Sequence, residues 1–293
     1  DAQNGKVLSY IGNSNCASNN CGGKVDIIQS KRSTGSTLKP FLYGFMMEEG
    51  MVLQEELVED IPTKIADYSP ENFDRSYDGA VKLNNALTRS LNIPAVRLLQ
   101  KYGLEKFHTR LKKLGFNSIN KGPNHYGLSI ILGGSECTLW ELSRAYYLLS
   151  RKAENLPINE ISIKEESIQK RTSFNYLSSA TAYVIANMIT DTKRPSGEGD
   201  WKTFSSAQKI GWKTGTSFGH RDAWSVGITP EYIVGVWVGN ADGEGRPGLT
   251  GVKKAGPIMF NVFRTLEETS WYAPPDDLIN ITICDKSGYP ASD

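Results

Sequence analysis

Apolar residues along the chain follow two different periods, and the change falls near residue 208. Upstream, they recur at helical spacing. A helix is predicted from Ser36 to about Glu49 and another over Leu83 to Arg89. A further helix starts at Pro94, where proline suits the first turn, runs through Tyr102, breaks at Gly103 and resumes to Leu114. Thr138-Leu-Trp-Glu141 is a capping box that opens an apolar-striped helix to Arg151, and Ser178 to Ile189 is another helix. Downstream, three strand patterns follow in QKIGWKTGT, DAWSVGIT and EYIVGVWVGN, and their short connections imply antiparallel pairing. The longest apolar run, Tyr232 to Val238, reads as a buried strand. A last helix is expected over about Pro257 to Glu268, and LINITI (Leu278 to Ile283) as one more strand.

At the other end, Asn4-Gly5 is a hairpin signal, and Lys6 to Gly12 reads as the strand leaving it. Its partner would lie before Asp1, so the sequence reads as a piece of a longer chain. Lys24 to Ile28 is a second short strand pattern. Residues 52 to 80 show no strong period and hold Pro62, Pro70 and Gly79, which predicts a long irregular connection; 152 to 175 are charged and mixed. Helices between an N-terminal strand pair and a C-terminal meander predict one sheet closed from both ends of the chain. There are no internal repeats.

Composition narrows the function classes. The 293 residues carry 33 Lys plus Arg against 32 Asp plus Glu, a formal charge of +1, without the clustered basic excess of nucleic-acid binders. Apolar residues at 39% and aromatics at 10% are enough for a packed core, which excludes global disorder. No apolar run approaches the length of a membrane span. Cys16 and Cys21 share a polar loop that a disulfide could close; free thiols or half of a metal site are the alternatives. Neither Cys137, Cys284 nor the three histidines supply paired metal-ligand spacing.

The candidate chemistry begins at Pro40. A proline is tolerated only in the first turn of a helix, so this helix starts no earlier than about Ser36. The Ser36 hydroxyl then lies at the positive end of a helix dipole, and Lys39, three residues on, shares its face. A serine needs a base to become a nucleophile, and a lysine serves once burial or another cation lowers its pKa. Ser90-Leu91-Asn92 falls at a corner between two helices, suited to presenting side chains into a cleft. Lys213-Thr214-Gly215-Thr216 falls on a predicted strand, where Gly215 lets backbone approach a ligand.

S-x-x-K, S-x-N and K-T-G in this order mark penicillin-binding proteins and class A β-lactamases, with Leu91 here in the aspartate position of S-D-N. GSTLKPFLYG, DIPTKIADYSPENFD, ALTRSLNIPAV, ILGGSECTLWELSRAY, GWKTGTSFGHRDAWSVG and GVKKAGPIMFNVF extend the likeness over nearly the whole chain. The sequence resembles the transpeptidase domain of class A penicillin-binding proteins, most of all the 1C subgroup. That resemblance implies an α/β mixed (α+β) fold: a three-layer αβα sandwich with a mainly antiparallel five-stranded sheet and an all-helical flank, one domain over residues 1–293. It implies that Ser36 attacks the D-Ala-D-Ala carbonyl of a peptidoglycan stem peptide and Lys39 takes its proton. Ser90 and Asn92 complete the network and relay a proton to the leaving amine. Lys213 adds positive charge; Thr214, Gly215 and Thr216 hold the substrate carboxylate; the backbone N–H groups of Ser36 and Thr216 form an oxyanion hole. β-Lactams would acylate Ser36, and no motif supplies a deacylating glutamate. No cofactor and no metal are implied. The full-length protein would be periplasmic, held in the bacterial inner membrane by an N-terminal anchor and joined to a glycosyltransferase domain.

Three other readings compete. A penicillin- or muropeptide-sensing module would keep the same motifs with little turnover, and a DD-carboxypeptidase would release the acyl group to water. Gly215-Thr216-Ser217-Phe218-Gly219 also matches the nucleophile elbow of α/β-hydrolases, with His220 and Asp222 nearby, but that elbow needs a helix after the turn. A P-loop is excluded because Trp212 separates Gly211 from Lys213. His108 on a charged helix face reads as solvated, and Trp201, Trp212, Trp224 and Trp237 mostly as core.

Overall fold

The computed structural model describes residues 1–14, 24–163, 171–172, 175–195, 208–267 and 270–291. Its elements, in order, are β1 (Arg32–Ser33), α1 (Lys39–Glu48), β2 (Leu57–Asp60), β3 (Gly79–Lys82), α2 (Leu83–Thr88), α3 (Asn92–Tyr102) and α4 (Leu104–Lys113). There follow α5 (Pro123–Tyr126), β4 (Glu136–Cys137), α6 (Leu139–Ala153), β5 (Ile158–Asn159), β6 (Arg171–Thr172), α7 (Ser179–Met188), β7 (Gly211–Thr216), β8 (Asp222–Ile228), β9 (Ile233–Gly239) and α8 (Gly256–Phe263).

The main sheet is the antiparallel meander β7–β8–β9. Side chains alternate across it. From β8, Trp224, Val226 and Ile228 enter the principal core with α1, α6 and α7, whereas Ser225 meets Met259 of α8 on the other face. From β7, Trp212 stacks edge-on against Phe260 of α8. The result is helix, sheet, helix, the three-layer α/β class expected from the sequence. α1 runs through the middle of the helical layer, with every residue from Lys39 to Met46 buried. Local signals hold where they are strong. Thr138 and Glu141 form the reciprocal capping box of α6, Ser178 caps α7, and Gly103 at φ 98° separates α3 from α4.

Several expectations need correction. Among the described residues the main sheet has three strands, not five. Lys6 to Gly12 forms no strand: the Asp1 carboxylate accepts from Gln3 and Asn4, curling the chain into a turn, and only Lys6 bridges to Ser162. Lys24 to Ile28 forms no strand, because the Asp26 carboxylate accepts from Ile28 N and caps a 3-10 turn at Ile27–Gln29. LINITI finds no partner strand among the described residues; Ile279 and Ile281 are exposed, and only Ile283 bridges to Pro290. The connection 52–80 contains β2, which pairs with β3 in register Leu57↔Lys82 to Asp60↔Gly79. The excursion from Asp60 to Gly79 is long, so no local period announces the pairing. Among the described residues β9 is an edge strand, and it is partly exposed along its length instead of buried as expected. α8 is shorter than expected and is preceded by a π turn, Gly251–Ala255. No helix among the described residues is long and apolar enough to cross a membrane.

Candidate active site

The segment leading into α1 is pressed against the end of β7. Gly35 has φ +52°, and a Cβ there would lie 2.7 Å from Thr216 N and 2.9 Å from Thr216 O. A Cβ at Gly215 would meet the Thr37 methyl at 2.7 Å and Thr34 O at 2.8 Å. The space Gly215 leaves is thus filled by the chain carrying Ser36, not kept open for a ligand as the sequence suggested. Ser36 sits in a tight turn, with Thr37 N donating to Thr34 O and Lys39 N to Ser36 O. Regular helix begins at Lys39, three residues later than expected, and Ser36 stays half-exposed at its mouth. Two long-range bonds pin this turn: Tyr146 Oη donates to Thr37 O at 2.8 Å, and Trp224 Nε1 to Ser33 O at 2.7 Å.

Lys39 is fully buried one turn along. Its Nζ donates to Ser90 O (2.8 Å), Leu91 O (3.0 Å) and Asn92 Oδ1 (2.8 Å). Burial, and then the positive charge of Lys213, hold its pKa well below the ordinary lysine value. The three acceptors match the three protons of an ammonium group. No hydrogen bond to Ser36 is among them, so receiving a proton from that serine requires the amine to lose one proton and turn a lone pair towards it.

Ser90 occupies the corner between α2 and α3 in a left-handed conformation, φ 59°, which is sterically costly for a non-glycine residue. That conformation directs its carbonyl to Lys39 while its hydroxyl accepts from Lys213 Nζ at 2.8 Å. Lys213 is also fully buried; its second bond goes to Thr214 O at 2.9 Å, and burial lowers its pKa to about 7. Alternation along β7 aims Lys213 and Gly215 into the helical layer and Thr214 and Thr216 towards the segment before α8. There, Gly251 N donates to Thr216 Oγ1 at 3.1 Å. Hydrogen bonds and backbone packing therefore bring together, from separate stretches of chain, the Ser36 turn, Lys39, Ser90, Asn92, Lys213 and the Thr216 backbone, while the buried Thr214 side chain lies on the face of β7 opposite Lys213.

Sequence reasoning missed Asn72. It lies in the irregular stretch before β3 and is 3% exposed, and its Oδ1 accepts from Asn92 N (2.8 Å) and Ile93 N (3.1 Å). The neighbouring Glu71 O accepts from Asn92 Nδ2 at 2.8 Å. Both lie in DIPTKIADYSPENFD, a stretch of the family likeness, but nothing local reveals their role, because their partners lie 20 and 21 positions away.

The competing features resolve simply. Ser217 is buried in the β7–β8 hairpin turn, where its Oγ accepts from Asp222 N; a strand follows, so the nucleophile-elbow context is absent. His220 turns away, its Nδ1 meeting Leu249 O and its ring meeting Phe73 edge-on. His108 pairs with Lys121 O and stacks on Tyr126. Trp212 and Trp224 are core residues and Trp237 is half-buried, while Trp201, Cys16 and Cys21 lie outside the described residues. Cys137 is buried and Cys284 exposed, and no group able to hold a metal ion occurs among the described residues.

Comparison with known proteins gives one answer. Residues 1–264 match the model of the penicillin-binding protein transpeptidase domain. The chain is 33% identical over 273 residues to penicillin-binding protein 1C of Escherichia coli (strain K12), covering 92% of this chain and 34% of that protein. It is 30% identical over 220 residues to penicillin-binding protein 4 of Bacillus subtilis (strain 168), covering 72% and 35%. The chain spans about a third of the length of these relatives. Among solved structures, penicillin-binding protein 1A from Haemophilus influenzae superposes with TM-score 0.71 at 20% identity, over 92% of this chain and 48% of the other. PonA1 from Mycobacterium tuberculosis, in complex with penicillin V, superposes with TM-score 0.69 at 18% identity, over 90% and 76%. At these identities the superpositions speak for the fold.

Proposed function

The chain belongs to the penicillin-binding protein transpeptidase family, and on that premise we propose that it is a peptidoglycan DD-transpeptidase with Ser36 as its acylated nucleophile. Ser36 Oγ attacks the carbonyl between the two D-alanines of a stem peptide, and its proton passes to the neutral Lys39 amine. The oxyanion forms against the backbone N–H groups of Ser36 and Thr216, segments that Gly35 holds in contact. As the C–N bond breaks, Ser90, hydrogen-bonded to Lys213, hands its hydroxyl proton to the leaving D-alanine and takes in its place the proton that Lys39 received from Ser36, which returns Lys39 to its neutral form. The charge of Lys213 attracts the terminal carboxylate from within the helical layer, and the hydroxyls of Thr214 and Thr216 hold it; Thr216 Oγ1 accepts from Gly251 N and keeps its own proton to donate. The amine of a second stem peptide then attacks the ester, forming the cross-link and freeing Ser36. A β-lactam opens on the same serine, but its leaving nitrogen stays tethered, so the acyl-enzyme persists.

One observation carries this reading: two buried lysines, Lys39 and Lys213, reach the same serine corner, one through Ser90 O and the other through Ser90 Oγ. Burial makes a neutral Lys39 accessible, which is what a serine nucleophile needs from its base. Residues 1–293 act as one transpeptidase domain of a longer, membrane-anchored protein with a glycosyltransferase domain, facing the periplasm.

The test supplies polymerised peptidoglycan carrying pentapeptide stems. Release of D-alanine together with new cross-links is the expected outcome. D-alanine release without cross-links would assign a carboxypeptidase, and acylation by penicillin with no D-alanine release would assign a sensor.

A further inference from the structure

α3 carries Asn92 at its first residue but has no cap of its own, since Leu91 precedes it and offers no side-chain acceptor. Its first-turn donors are met from elsewhere. Asn72 Oδ1 accepts from both Asn92 N and Ile93 N. An amide can present either its oxygen or its NH2 in a given direction, and the partners of the NH2 decide which. Here Asn72 Nδ2 donates to Asp60 Oδ1 at 2.7 Å and to Ser76 O at 2.8 Å, both of them acceptors. Asp60 is completely buried at the end of β2, and its second oxygen accepts from Asp78 N at 2.9 Å. The carboxylate cannot donate, so it fixes the amide with its oxygen towards α3. Asn92 is locked in the same way: Glu71 O takes its Nδ2, which leaves Oδ1 to meet Lys39 Nζ.

We propose that Asn72 is a positioning residue for the acylation of Ser36, capping α3 from outside the helix and held in the required orientation by the buried Asp60. Neither residue bonds to Lys39 directly; they act through Asn92, which supplies one of the three acceptors of Lys39. The proposal rests on the reading of Ser36 as nucleophile for its consequence in rate, and on geometry alone for its consequence at Lys39.

The two consequences are measured separately. First, the lysine Nζ signals of the intact protein are titrated by NMR, without ligand, in wild type, Asp60→Asn, Asn72→Ala and the exchanged pair Asp60→Asn with Asn72→Asp. Lys213 is the other charge acting on Lys39, and it is present in all four. Losing a good acceptor disfavours the ammonium form, so the Lys39 titration is expected to move down by about half a unit or more in each single variant. In the exchanged pair, the carboxylate introduced at position 72 again accepts from α3 while the amide introduced at position 60 donates to it, and the titration returns towards wild type. Ser76 O loses its donor there, so the return is partial. Second, acylation by a fluorescent penicillin is expected to fall about tenfold or more in the single variants and to recover in part in the exchanged pair. An unmoved Lys39 titration in folded Asp60→Asn protein overturns the proposal, as does a rate loss that the exchanged pair deepens. If the titrations shift as expected but penicillin acylates another residue, the positioning stands and the reading of Ser36 falls.

Discussion

Lys213 Nζ donates to Ser90 Oγ at 2.8 Å, joining two residues 123 positions apart. This bond couples the strand of the K-T-G motif to the corner of the S-x-N motif, and it sets a second buried cation close enough to Lys39 to lower its pKa. Replacing Lys213 by Met keeps the volume but removes both effects. Acylation by penicillin is expected to fall by about a hundredfold or more, the range for losing a group engaged in proton transfer. Ser90→Ala is expected to fall less with a β-lactam, whose amine stays tethered, than with a stem peptide whose amine must leave. Rates measured on both substrates check the order.

The pH dependence of acylation follows from the two lysines. Lys39 must be neutral to receive a proton, so the rate rises as pH climbs through its depressed pKa. Lys213 must be charged to attract a carboxylate, and its pKa of about 7 in the free protein sets the alkaline limb. The expected profile is a bell for anionic β-lactams, and Lys213→Ala is expected to lose its alkaline limb. An unchanged limb in that variant would assign it to another group.

Stability carries an independent signature. Lys213 has a folded pKa of about 7, against ~10.4 for an unfolded lysine. Between those values the unfolded chain binds the proton and the folded protein does not, so stability rises with pH across that window, by at most about 1.4 kcal/mol per unit. Lys213→Met removes this term. The difference in melting temperature, wild type minus variant, is therefore expected to increase from about pH 7 towards about pH 10. A difference that shrinks over that range would mean the buried lysine is stabilised as a cation.

Gly35→Ala tests the contact between the Ser36 turn and β7. The methyl would sit 2.7 Å from Thr216 N on a backbone with φ +52°, so strain and overlap act together. The variant is expected to lose about 1–3 kcal/mol of stability by denaturant unfolding. Its acylation rate is expected to drop by more than that loss of folded protein accounts for, because the overlap separates the two oxyanion N–H groups.

Much of this was legible in the chain where the signal was local. The capping box at Thr138, the break at Gly103 and the antiparallel meander after Gln208 all depend on neighbours a few residues away, and all appear. Features set by distant partners were not legible. β2 and β3 pair across a long excursion, and the apolar alternation of Leu278 to Ile283 carries no information on whether a strand is available beside it. The site divides in the same way. Ser36, Lys39, Ser90, Asn92 and the K-T-G strand carry motif spacing, and the structure packs them together. Asn72 and Asp60 act through side-chain hydrogen bonds to residues 12 to 21 positions along the chain, and Gly215 serves a neighbouring segment instead of a ligand. Burial sets the lysine chemistry, and burial is a property of the assembled core.

The most direct test of Ser36 as the acylated residue is intact-protein mass spectrometry after exposure to a panel of β-lactams, followed by peptide mapping of the adduct. The expected result is a single addition of one β-lactam mass on the peptide containing Ser36, absent in Ser36→Ala. An adduct on a peptide elsewhere, such as the one containing Ser217, would contradict the account.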